Sequence, residues 1–120
     1  MRARIAAVAA VASLMTAGAA MAFTSATPTL NGTVGPGYTI SLKDSKGKKV
    51  TKLTAGTYKI VIKDKASSHN FVLEGPGVER DITAVPFKGT KTVTVKLRKG
   101  KYKYYCRPHE SIIFGFFAVT

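Results

Sequence analysis

The run Lys101-Tyr102-Lys103-Tyr104-Tyr105-Cys106 alternates lysine with aromatic or thiol side chains. A period of two is the signature of an extended strand with one face buried. The lysines must face water, so Tyr102, Tyr104 and Cys106 point inward and Tyr105 points outward. The same parity governs Thr57 to Lys63, where Tyr58, Ile60 and Ile62 face in and Lys59 and Lys63 face out. It also governs Thr90 to Leu97, where Val93, Val95 and Leu97 are core positions. His69 shares parity with Phe71 and Leu73, which puts its imidazole inside and turns Asn70 the other way, where its amide can tie neighbouring loops together.

Further short runs rich in β-branched and aromatic residues lie at Thr29 to Val34, Tyr38 to Leu42, Val50 to Leu53, Asn70 to Glu74 and Phe116 to Thr120. Glycine, proline and lysine turns separate them. In the last run Phe117 and Val119 face the core, with Phe116 and Ala118 on the opposite face. Gly75 to Phe87 reads as irregular, with room for a short helical turn. Many short strands and no helix of ordinary length predict an all-β sandwich or barrel.

Residues 1–22 read as a cleaved export signal, leaving one domain over 23–120. Arg2 and Arg4 precede an apolar, alanine-rich stretch, and Ala20-Met21-Ala22 is a small-x-small cleavage site. That stretch is short for a membrane span and carries Ser13, Thr16 and Gly18. The expected location is therefore the periplasm or the outside of the cell, with no membrane span. A small domain there would ordinarily be stapled by disulfides, but Cys106 is the only cysteine. A lone thiol in an oxidising compartment survives best when buried or ligated.

The chain has just two histidines, His69 and His109. One thiolate and two imidazoles suit a trigonal copper site better than other common metal arrangements. Structural zinc needs a fourth protein ligand, and only Glu110 lies near in sequence. A Cys106–His109 nucleophile pair is disfavoured, because the thiol points inward and both residues sit on one loop. The chain is therefore read as a non-enzyme. Its formal charge of +13 favours acidic proteins or anionic surfaces as partners. Nucleic acid is excluded by export and by dispersed lysine in place of clustered arginine. A small, strongly charged domain of this kind is expected to be a monomer.

The motifs together resemble the cupredoxins, in particular the small secreted bacterial plastocyanin-like proteins. The resemblance rests on Val34 to Leu42 (VGPGYTISL), Ser67 to Phe71 (SSHNF), Gly75 to Val78 (GPGV) and Tyr102 to His109 (YKYYCRPH), and it spans essentially the whole domain. It implies a two-sheet Greek-key sandwich with one type 1 (blue) copper ion at one end. His69, Cys106 and His109 are the implied equatorial ligands, with Asn70 and Phe114 beside them. It implies one-electron transfer with an acidic redox partner such as a cytochrome or oxidase. His109 with Ile112 and Phe116 is the implied exit or docking edge, and Tyr105 a second exit.

One departure stands out. The family usually places an axial methionine two residues before the glycine of the last strand, and here that position is Ile113. The three methionines all lie within residues 1–22. A site without that donor should have a raised potential. The competing expectations are a copper-delivery protein of the same fold and a degenerate scaffold that no longer binds metal.

Overall fold

The computed structural model describes residues 26–120. The expected signal segment and its cleavage boundary lie outside them. Nine strands form two sheets. In the first, β1 (Thr29–Val34), β2 (Ile40–Lys43), β4 (Gly56–Asp64) and β7 (Gly89–Leu97) run in the order β2-β1-β4-β7. In the second, β3 (Lys52–Leu53), β5 (Val72–Gly75), β6 (Val78–Asp81), β8 (Gly100–Tyr105) and β9 (Phe114–Val119) run in the order β3-β9-β8-β5-β6. The pairs β1–β4 and β3–β9 are parallel and the others antiparallel. The hairpins β1–β2, β5–β6 and β8–β9 stay within a sheet while the other connections cross between the two, the Greek-key way of closing a sandwich.

The core fills the space between the sheets with the inward residues that alternation selects. Tyr58, Ile60 and Ile62 of β4 meet Val93, Val95 and Leu97 of β7. Opposite them lie Leu73, Tyr102, Tyr104, Phe117 and Val119. Aromatic pairs stack across this second layer: Phe71 on Tyr104 at 5.7 Å and Tyr102 on Phe117 at 5.1 Å between ring centroids. The buried Tyr102 hydroxyl donates to the Arg98 carbonyl at 2.8 Å and accepts the Arg98 N–H at 2.9 Å. A large ring can therefore be buried without an orphaned polar end.

Two elements depart from the sequence reading. The Gly75–Phe87 segment contains β6 rather than a helical turn. Three of its four residues, Glu79, Arg80 and Asp81, are exposed, so an edge strand with little buried surface leaves no alternation to read. The Val50–Leu53 run pairs only at Lys52–Leu53. Among the described residues the one helical element is a single 3₁₀ turn at Arg107–His109, and none of their helices is long and apolar enough to cross a membrane.

Gly115 faces Tyr104 across the β8–β9 ladder. A Cβ added there would overlap the Tyr104 ring, and the overlap is with a buried, stacked group that has little room to move. Gly115→Ala is expected to destabilise the fold by about 1–3 kcal/mol, read as a lower urea midpoint with an unchanged slope. An unaltered midpoint would show that the ring can shift freely.

Candidate metal centre

The loops at one end of the sandwich bring three donor side chains together. His69 stands in the connection from β4 to β5, where its N–H donates to the Ala66 carbonyl at 3.2 Å. That turn starts from Asp64, whose Oδ1 accepts the Ala66 N–H at 3.2 Å. Cys106 follows β8 directly, and His109 closes the 3₁₀ turn after it. Backbone bonds tighten this second loop: the Cys106 N–H donates to the Ile113 carbonyl at 3.0 Å. The His109 carbonyl accepts from Ile112 at 2.9 Å and from Ile113 at 2.8 Å. Pro108 lies within the turn, where its fixed φ suits the first helical positions.

The donor atoms form a nearly equilateral triangle. His69 Nδ1 and His109 Nδ1 are 3.1 Å apart, and Cys106 Sγ lies 3.6 Å from each. The point equidistant from the three corners of a triangle with sides of 3.1, 3.6 and 3.6 Å is roughly 2.0 Å from each, against metal–imidazole bonds of ~2.0–2.1 Å and metal–thiolate bonds of ~2.3 Å. Cys106 and His69 are buried, and His109 is half-buried. Among the described residues this is the group of histidine, cysteine and carboxylate donors compact enough to hold an ion. Two imidazole nitrogens and a sulfur turned onto one point fit a shared cation better than they fit pairwise hydrogen bonding. The donor set is the trigonal one that copper accepts.

A family model for copper-binding proteins of the plastocyanin/azurin family matches residues 11–120. The chain belongs to this family. Its fold is that of the cupredoxins, and copper is the cofactor that the family and the donor set share. Among solved structures, the chain is similar to reduced rusticyanin, with 21% identity over 77% of this chain and 78% of that one and a TM-score of 0.54. A rusticyanin variant with one methionine replaced by glutamine is 23% identical over 77% and 76% of the two chains, with a TM-score of 0.51. A chain of a heme-copper terminal oxidase dimer is 17% identical over 77% of this cupredoxin and 63% of its own length, with a TM-score of 0.52. Comparison with curated protein sequences gives no significant match.

The two ligand loops of this cupredoxin are joined by the buried Asn70. Its Oδ1 accepts the Arg107 N–H at 2.8 Å, and its Nδ2 donates to Asp81 Oδ2 at 3.2 Å. Asp81 in turn receives two bonds from the Arg107 guanidinium, at 2.5 and 3.1 Å. The Arg107 hydrogen bond holds the Asp81 carboxyl below its ordinary pKa, and the same bond raises the guanidinium. Sequence reasoning misses Asp81, which lies in no metal-site motif, and Arg107, which stands inside the Cys106–His109 loop but is not itself a metal donor. It also misses Thr83, whose buried Oγ1 accepts the Phe71 N–H at 2.9 Å and pins the residue after Asn70.

Three expected neighbours of the site sit differently from their sequence reading. Tyr105 does lie on the sheet face opposite Cys106, yet it is only 2% exposed. The Lys103 ammonium at 5.1 Å and the Arg107 guanidinium at 5.7 Å fold over its ring, as long cationic stems do on aromatic faces. Burial raises its hydroxyl pKa. Phe114 does not pack beside the donors. It pairs with Tyr105 across the ladder, so parity turns it outward, where it is 44% exposed and contacts Phe116 edge-on at 5.6 Å. Phe116 is exposed on the same outer face, where it pairs with Lys103 across the ladder. Ile112 is exposed in the site loop, and Ile113 is buried.

Tyr38 is the site residue that strand parity gives no reason to single out. It follows the Gly35-Pro36-Gly37 turn, in which Gly35 and Gly37 both have φ of +71°, a region that favours glycine. The turn is closed by Gly35 N–H donating to the Thr39 carbonyl at 2.9 Å. The Tyr38 ring centroid lies 5.6 Å from that of His69 and 5.2 Å from that of His109. The three rings make one cluster at the solvent side of the donor triangle.

Asn70→Ala would remove the acceptor of the Arg107 N–H and with it the link between the two ligand loops. The metal-free protein is expected to lose about 1–3 kcal/mol of stability, measured by thermal or urea unfolding. A loss under about 0.5 kcal/mol, the range of an ordinary surface change, would contradict the clasp.

Proposed function

We propose that this cupredoxin is a one-electron carrier. In this reading Nδ1 of His69, Nδ1 of His109 and Sγ of Cys106 hold its copper, with no methionine in the axial direction. The observation that carries the reading is the donor triangle, whose size suits a single ion without rearrangement. When bound, copper supplies a couple between its two common oxidation states. The chain supplies the rest. Backbone bonds and the Asn70 clasp hold the donors so that they need move little when the charge changes. The core and the buried Ile113 keep water from the inner side. His109 is the most exposed of the three donors and, with Ile112 and Tyr38 beside it, offers the shortest way out to a partner.

A closed, buried thiolate favours retention of the ion over its delivery to another protein, which would need a ligand free to be handed over. The lack of a thioether at Ile113 removes a donor that would stabilise the oxidised ion, so a high potential is part of the proposal. The burial of Tyr105 under two cations leaves the His109 edge as the better route. The strong positive charge supports an acidic redox partner such as a cytochrome or oxidase, met by a monomer after export to the periplasm or beyond.

Adding Cu(II) to the metal-free protein tests this directly. One equivalent should produce intense thiolate-to-copper absorption that bleaches on reduction and returns on oxidation. A colourless protein that takes up only Cu(I) would favour delivery, and no binding at all would favour the scaffold. Ile113→Met is expected to lower the potential, and an unchanged or higher value would defeat the open-axial reading.

A further inference from the structure

The acidic side chains of this domain are kept off the outer face of one of its two sheets, whereas cationic ones stand on both. On the outward face of the four-stranded sheet, cross-strand registers bring Lys43, Lys59, Lys63 and Lys96 onto one surface. The outward positions between them carry Thr, Ser and Asn, except for the half-buried Val61. No acidic side chain lies on this face. The six acids of the chain are elsewhere. Glu74, Glu79 and Asp81 belong to the other sheet, and Glu110 to the site loop. Asp64 is buried, and Asp44 sits in the turn after β2, accepting the N–H groups of Lys46 and Lys48 at 2.9 and 3.0 Å.

The ion pairs follow the same division. Those among the described residues join Lys103 to Glu110 and Arg107 to Glu79 and Asp81, all on the five-stranded side. The four face lysines take part in none of them. At the end of the face nearest the metal loops, Lys63, Lys65 and Lys88 line a shallow depression with Gly89, Thr90 and the buried Asp64, so that three ammonium groups to one carboxylate carry the cationic surface to the sandwich edge.

We infer that this sheet face seats the protein on an anionic lipid bilayer. Four strands at ~4.8 Å spacing make a platform roughly 15–20 Å across, wide enough to place several ammonium groups against headgroups at once. A protein partner would ordinarily be held by aromatic, arginine or methionine anchors at the centre of the contact. This face has no such residue. Nucleic acid is a poorer fit for the same reason, since there is neither an arginine fork nor a stacking ring on it. Lysine near an anionic bilayer contributes about 1 kcal/mol per residue within a Debye length, so binding without apolar anchors is additive and salt-sensitive. Seated in this way, the sandwich lies on its side, and the His109 end stays clear of the lipid.

Vesicle co-sedimentation tests the inference, and it does not depend on the metal. The probes are vesicles of phosphatidylcholine alone and vesicles with roughly a third phosphatidylglycerol. The protein should bind the mixed vesicles at low salt, release them near 0.5 M salt, where the Debye length is about 4 Å, and ignore the neutral ones. The triple variant Lys59→Glu, Lys63→Glu, Lys96→Glu should bind at least about 100-fold more weakly. The triple variant Lys46→Glu, Lys52→Glu, Lys101→Glu removes the same net charge elsewhere and should weaken binding by at most about tenfold. Circular dichroism of both variants confirms the fold. Equal losses in the two variants, failure to bind the mixed vesicles, equal binding to neutral ones, or binding to duplex DNA alone would each overturn the inference.

Discussion

The hydrogen bond from the Cys106 N–H to the Ile113 carbonyl, 3.0 Å long, is the constraint on which the rest of the site depends. It closes the β8–β9 connection, Cys106 to Ile113, into a loop that has to present a thiol and an imidazole three positions apart. Inside that closure the 3₁₀ turn of Arg107–His109 points Nδ1 of His109 back toward Sγ of Cys106. A longer or looser connection would leave His109 free to rotate into water. The sandwich contributes by making the loop start and finish on adjacent strands whose register is set along Gly100↔Val119 to Tyr105↔Phe114.

The second half of the site depends on a polar connection between loops distant in sequence. Asn70 is buried, and its amide bridges the loop of His69 to the loop of Cys106. The Asp81–Arg107 pair then fixes that amide from the rim. This pair is exposed, so its direct contribution to stability is small. Its role is geometric: it sets which way Asn70 can point. Tyr38 acts from the solvent side, meeting the His109 imidazole edge-on and the His69 imidazole at a tilt.

Much of the fold was legible because alternation is strong wherever one sheet face is buried. β4 and β8 turn every lysine outward and place their inward aliphatic and aromatic residues in the core, as parity requires, and β7 does so from Val93 onward; Lys91, which shares the parity of Val93, is exposed near the start of its strand. Parity fails at β6, an edge strand with no buried stripe, and it says nothing of the turn that delivers Tyr38. Tyr105 shows a different limit. Alternation assigns a side chain to a face, but it cannot say what else on that face will cover it, and here two cations do. Phe114 illustrates the reverse: nearness in sequence to His109 suggested contact with the site, while its register with Tyr105 turns it away. The convergence of His69, Cys106 and His109 was suggested by residue count and family pattern, but the size of the triangle required coordinates.

The central claim is that the donors are already in place before the ion arrives. Crystal structures of the metal-free and copper-loaded protein, superposed on the two sheets, test it most directly. Nδ1 of His69, Nδ1 of His109 and Sγ of Cys106 are expected to keep their positions within about 0.5 Å, with copper between them and no fourth side-chain donor. A His109 ring swung out to solvent in the metal-free protein, or copper bound away from these three atoms, would contradict it.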